Sequence, residues 1–124
     1  MIAADSSSLS ALFRGDDGPD VELLDQALDQ GIVVLPPVVL TEILSYPALD
    51  SGVADLIRDL SLLETHPGFW ERAARLRAGI LLLGLRARLA DTLISQSCLD
   101  HEVPLITRDR DFRHFADHSG LVLL

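Results

Sequence analysis

The chain alternates short apolar runs with longer segments whose apolar residues recur every three or four positions. The short runs are Ile2–Ala4, "IVVLP" at 32–36, "SLLET" at 61–65, "VPLIT" at 103–107 and the terminal "LVLL". Their length and their share of branched side chains predict strands. The segments between them predict helices. Ser7–Phe13 is the first, with a serine near its start as the cap. "RGDDGP" is turn material. In "DVELLDQALDQG" Val21, Leu24 and Leu28 share one helical face, and Gly31 suits the position just past a helix end. Pro36 and Pro37 end the second strand, and Pro37 can open the helix "VVLTEILSY", which stops before Pro47. "GVADLIRDL" predicts another helix. "GFWERAARLRAGILLLGLRARL" predicts one long helix, with Gly79 and Gly84 weakening its middle. "ADTLISQSCLDHE" and the short "DRDFRHFADH" complete the set.

Strands that alternate with helices predict an α/β fold, a three-layer α/β/α sandwich around a central parallel sheet of four to five strands. The 124 residues suit a single domain spanning 1–124. In such sheets ligands bind at the carboxyl ends of the strands, where strand order reverses.

Composition narrows the class. Hydrophobic residues make up 48% of the chain, enough for a packed core, which argues against disorder. No apolar run approaches the roughly 20 residues that cross a bilayer, and no signal peptide is visible, so a cytoplasmic protein with no membrane partner is expected. Cys98 is the single cysteine, so no internal disulfide is possible; it reads as a small buried hydrophobe. The net charge of −9 argues against an indiscriminate nucleic-acid coat. The charge is unevenly spread: residues 1–65 hold 12 acids and 2 arginines, residues 66–124 hold 7 acids and 8 arginines. Lysine is absent, which excludes a Walker A nucleotide site and counts against aspartyl phosphotransfer domains that need a lysine beside the phosphoryl group.

Several carboxylates stand where this fold would gather them. Asp5 directly follows the first strand. Glu42 lies in the second turn of the helix after the second strand. Asp91 sits near a helix start, and Asp109 and Asp111 follow the fourth strand in "LITRDRDF". Clustered carboxylates raise one another's pKa, and a hard divalent cation such as Mg²⁺ or Mn²⁺ removes that conflict. Each acid also has an ordinary structural reading. Asp91 and Asp109 would serve as helix caps, and Glu42 as a solvated face residue. Asp5 is harder to explain that way, because it abuts a run expected to be buried.

Taken together, "MIAADSSSLSALF", "LPPVVLTEIL", "LADTLISQSCLDHEVPLITRDRDFRHF" and the terminal "LVLL" resemble a PIN-domain ribonuclease, in particular the VapC toxins of bacterial toxin–antitoxin pairs. The resemblance runs along essentially the whole chain. It implies that Asp5, Glu42 and Asp91 match the family's metal-binding carboxylates. The fourth acid comes from "TRDRDF", with Asp109 favoured and Asp111 its rival as ligand or as support. Asp5, Glu42, Asp91 and Asp109 are then the expected catalytic residues, and Asp5, Asp91, Asp109 and Asp111 the expected cation ligands. Ser6, Ser7 and Thr107 match supporting hydroxyls. The resemblance further implies an RNA substrate, Mg²⁺ or Mn²⁺ as cofactor, a homodimer and a cognate antitoxin protein. One departure is the Arg86–Arg88 pair before "ADTLI", where a more turn-like, often proline-containing approach is expected.

The arginine-rich stretch 72–88 is the expected phosphate contact, through Arg72, Arg75 and Arg86, since arginine forks match phosphate oxygens. The competing reading is a solvated helix face. His114 and His118 are four apart but lack a third ligand at metalloprotease spacing. Phe69 and Trp70 read as core or interface rather than base-stacking platforms. Leu81–Leu83, Leu85 and Leu89 exceed what one buried stripe needs and suit a dimer seam or an antitoxin groove. "DSSSLS" lacks the glycines of a nucleophile elbow. The non-enzymatic alternative is a PIN-like scaffold that only binds RNA or a partner.

Overall fold

The computed structural model describes residues 1–124. In chain order it contains β1 (Ile2–Ala4), α1 (Ser6–Arg14), α2 (Pro19–Asp29), β2 (Val33–Leu35), α3 (Pro37–Leu44), α4 (Ser51–Asp59), β3 (Ser61–Leu62), α5 (Phe69–Leu82), α6 (Leu89–His101), β4 (Leu105–Ile106) and α7 (Phe112–Ser119). All strand pairings are parallel, in the order β3-β2-β1-β4. Successive strand side chains point to opposite faces. Ala3, Ala4 and Val33–Leu35 are all buried, so both faces of the central strands are covered by helices, as a parallel sheet requires. Leu9, Leu24, Val39, Ile57, Ile94, Phe112 and Phe115 fill the space between sheet and helices.

The strand order positions the site. The first two crossovers step from β1 to β2 and on to β3. The next returns across the sheet and lays β4 on the other side of β1. Strand order therefore reverses between β1 and β4, and their carboxyl ends flank the crevice. Asp5 leaves one of those ends and Thr107 the other.

Several expected elements take a different form. The first helix is capped by Asp5 rather than by a serine: its side chain accepts from the Ser8 N–H at 3.2 Å. The expected long helix from Gly68 onward stops at Leu82. Gly84 takes the left-handed conformation (φ 75°), with its N–H on the Leu81 carbonyl (2.9 Å) and the Leu85 N–H on the Ile80 carbonyl (3.4 Å). These two bonds close the helix end, and glycine alone adopts this backbone without a steric cost. Residues 85–88 lie outside any helix or strand, with Arg88 in extended backbone as the cap position of α6, so Arg86 and Arg88 lie on a connecting loop. The third strand shortens to Ser61–Leu62 at the sheet edge. The expected fifth strand is reduced to one parallel bridge, Leu105 to Leu123, closed by Leu105 N–H on the Val122 carbonyl (2.9 Å) and Leu124 N–H on the Leu105 carbonyl (3.0 Å).

Candidate metal centre at the carboxyl edge of the sheet

Asp5 is fixed before any cofactor enters the picture. It caps α1 from the end of β1 and is almost fully buried. Ser7 donates to both its oxygens, at 2.7 and 2.9 Å, and Thr107 donates to Oδ2 at 2.7 Å. Burial pushes the Asp5 carboxyl above the ordinary range. The Thr107, Ser7 and Ser8 donors pull the other way, and Asp109 adds repulsion. Thr107 also accepts the Asp109 N–H at 3.0 Å, and Ser7 accepts the Arg108 N–H at 3.2 Å. The two hydroxyls thus tie the β1–α1 junction to the turn after β4.

Asp91 comes from a separate part of the chain. The cap position of α6 is Arg88, which makes Asp91 the third helical residue and not the cap. Its side chain turns inward, is 9% exposed as a residue, and its Oδ2 has no hydrogen-bond partner. Burial pushes its carboxyl up to about 6, with Asp109, Asp5 and Asp111 adding to the effect and Arg88 opposing it. The turn 107–111 brings the remaining acids. Asp109 Oδ1 accepts the Asp111 N–H at 2.9 Å, which shapes the turn into α7. One carboxylate oxygen from each of Asp91, Asp109 and Asp111 lies within 4.8 Å of the other two. Asp109 and Asp111, alternatives by spacing, therefore stand together in this group.

Glu42 on α3 stands on the Asp5 side, and neither it nor Asp5 is one of the trio. Ser6 donates to its Oε1 at 3.3 Å. Glu42 is an exposed residue, yet partial desolvation at the rim holds its carboxyl above the usual range. Ser6 opposes that shift and Asp5 adds to it.

The arginines divide. Arg86 Nη1 lies 3.7 Å and Arg88 Nε 4.0 Å from Asp111 Oδ2, so the 85–88 loop sets two solvent-facing cations beside the acids. Arg75 is exposed on α5. Arg72 is not at this rim. It forks onto Asp100 at 3.0 and 2.6 Å and donates to the Pro67 carbonyl at 2.8 Å. Asp100 follows Asp91 by nine positions on α6, about 14 Å along the helix. The Arg72 fork is taken up by the α5–α6 seam, which corrects its assignment as a phosphate contact. Two residues that the spacing alone did not single out also matter. Arg88 stands beside Asp111, and Arg108 forks onto Asp20 at 2.8 and 2.9 Å, holding the Asp20 carboxyl down at about 2. The repeated "RDRD" was the available signal for Arg108. The signal for Arg88 was its place three residues before Asp91.

His114 and His118 belong to no ligand cluster, since the carboxylate trio is the one group of that kind. A depression of about 360 Å³ beside the turn is edged by Asp109, Arg110 and Arg113. A larger, mostly apolar hollow of about 450 Å³ opens at the opposite end of β4, between Val103, Pro104 and Leu121, away from the acids.

The fold and site define a parallel α/β domain with an acidic rim at its topological switch point. The model of the PIN domain matches residues 2–118, and the chain belongs to that family. Two solved structures share the fold. One is VapBC-5 of Mycobacterium tuberculosis, from the VapBC family of toxin–antitoxin systems. It is 20% identical with a TM-score of 0.68, over 99% of this chain and 96% of that one. The other is VapBC2 of Rickettsia felis bound to a DNA fragment from their promoter. It is 15% identical with a TM-score of 0.74, over 100% of this chain and 98% of that one. No curated protein matches by sequence. No helix is long and apolar enough to cross a membrane.

Proposed function

We propose that this chain is a divalent-cation-dependent endoribonuclease and the toxin of a toxin–antitoxin pair. The observation that carries the reading is the trio Asp91, Asp109 and Asp111, with oxygens within 4.8 Å and a buried Asp91 Oδ2 that nothing in the protein satisfies. Such a set suits a hard cation. All its donors are carboxylate oxygens, and a buried, unpaired carboxylate is costly without a counter-charge. Mg²⁺ or Mn²⁺ would be held by Asp91, Asp109 and Asp111, with Asp5 behind them and Glu42 at the rim. The chemistry such a cation would supply is polarisation of a phosphodiester and a lower pKa for bound water. The chain's own residues do the rest. Ser7 and Thr107 lock the Asp5 carboxylate in one orientation. Glu42, with its carboxyl raised, is suited to accept a proton from water at the rim. Arg86, Arg88 and Arg75 meet backbone phosphates of the RNA.

The test incubates purified protein with structured RNA under Mg²⁺, Mn²⁺ or EDTA and compares it with Asp5→Asn and Asp91→Asn. Cleavage should need the cation and be lost in both variants. Equal cleavage in all three proteins would sink the assignment. No cleavage of any RNA would leave the non-catalytic scaffold. For the toxin role, growth arrest on induction should vanish with Glu42→Gln, and a small DNA-binding protein should be encoded next to this gene. A homodimer is proposed on the exposed leucines at the α5–α6 connection. Leu82 is 87% exposed, and Leu81, Leu83 and Leu89 lie beside it in sequence. Leu82→Glu should shift the chain to monomer in sedimentation and remove any concentration dependence of its melting temperature.

A further inference from the structure

Arg108 stands between Thr107 and Asp109, and its side chain pairs with acids outside the trio. Its guanidinium lies in a cradle built by the α1–α2 loop. Nε and Nη2 fork onto the two Asp20 oxygens at 2.8 and 2.9 Å. Nη2 also donates to the Asp17 carbonyl at 3.2 Å, and Nη1 lies 3.7 Å from Asp16 Oδ2. The cradle is itself anchored. The Ser8 hydroxyl, fully buried in the first turn of α1, donates to Asp20 Oδ2 at 2.8 Å. Gly18 leaves the space. At its φ of 150° a side chain is strained, and a Cβ there would stand 2.7 Å from Asp20 Oδ1 and 3.0 Å from Arg108 Nη2. The main chain of Arg108 is held as well, by its N–H on Ser7 Oγ. Both ends of one residue are thus fixed to α1 and α2, and its neighbours on either side are the Asp5 donor and a member of the carboxylate trio.

We propose that the Asp20–Arg108 fork is a positioning clamp that sets the Thr107–Asp111 turn for cation binding, which rests on the metal reading above. Neither residue touches the cation or the RNA. Their effect passes through the placement of Thr107, Asp109 and Asp111. A bidentate fork suits that task, since it fixes direction as well as distance, which a lysine in the same place would not.

The experiment measures Mn²⁺ affinity of the full chain by electron paramagnetic resonance, with melting temperature in parallel. Asp20→Asn and Arg108→Lys should each weaken Mn²⁺ by about tenfold or more, and the double variant should be little worse than either. Asp20→Glu should recover part of the loss. Arg72→Gln, which breaks a pair at the far end of α6, serves as the control for general loss of stability and should bind Mn²⁺ as the unsubstituted chain does. Unchanged affinity in Asp20→Asn overturns the clamp alone. So does an equal loss in Arg72→Gln at a matched drop in melting temperature. If the unsubstituted chain binds no Mn²⁺, the metal reading falls and the clamp falls with it.

Discussion

Asp91 enters the fold at the third position of α6, where an aspartate usually helps to satisfy free N–H groups. Here it turns inward, its Oδ2 is unpaired, and its carboxyl is raised to about 6. At neutral pH the metal-free protein therefore holds a charge that burial and Asp109 both oppose. Asp91→Asn should stabilise the metal-free chain at pH 7 by about 1–3 kcal/mol, since roughly two pKa units of strain are relieved. The same change should abolish any rise in melting temperature on adding Mn²⁺. Calorimetry with and without the cation reads both effects. A variant that is less stable without metal would show that Asp91 is a structural cap after all. Asp5 differs in kind. Ser7, Ser8 and Thr107 all donate to it, so Asp5→Asn, which replaces an accepting oxygen with a donor, should lower the metal-free stability where Asp91→Asn raises it.

At the scale of elements, α5 and α6 show how a helix can be recognised and its role misassigned. The helical pattern of "GFWERAARLR" is local and was legible. That Arg72 points to Asp100 rather than to solvent depends on how α5 packs against α6, which no periodicity within α5 can reveal. Arg72→Gln would leave Asp100, only 9% exposed in its side chain, without its cation. The variant should unfold at lower denaturant, with RNA cleavage per folded molecule unchanged. Denaturant unfolding and single-turnover cleavage measure the two quantities separately, and a large fall in cleavage at full folding would return Arg72 to the substrate. The end of α5 was partly legible: Gly84 marked a weak point, but only the closing bonds from Gly84 and Leu85 show that the helix stops there and frees Arg86 and Arg88 as a loop.

For the whole molecule, the titrating groups act with opposite signs in different pH windows. Asp91, Asp5 and Glu42 have carboxyls raised by folding. Their protonated forms favour the folded state, and for Asp91 that stability is full below about pH 4 and is lost as pH rises through about 6. Asp20, held at about 2 by Arg108, and Asp100, lowered by Arg72, have the reverse sign. Their stabilisation is present above about pH 4 and lost on acidification, for Asp20 towards about 2. Without metal the Asp91 contribution to stability should fall between about pH 4 and neutrality. Mg²⁺ or Mn²⁺ should flatten the neutral side by supplying the counter-charge, and Asp91→Asn should flatten it without metal. Thermal melts across this range in EDTA and in Mn²⁺ test it. An Asp91→Asn chain whose metal-free pH profile matches that of the unsubstituted chain would contradict the rim electrostatics.

Much of this protein follows from the chain itself. Strand and helix alternation is written in local hydrophobic periods, and alternation already implies a parallel sheet with its chemistry at the carboxyl ends. Asp5 after an apolar run, Glu42 in the helix after the second strand, and the acids of "TRDRDF" were visible because each is placed by its own local element. Tertiary structure decided what depends on distant segments meeting. It turned Asp91 from a nominal cap into an unpaired carboxylate, brought Asp109 and Asp111 to one group, and sent Arg72 to Asp100 and Arg108 to Asp20. Those partners lie up to 88 residues apart in sequence. Spacing along a chain carries the period of one helix or strand, but not the angle at which two of them pack.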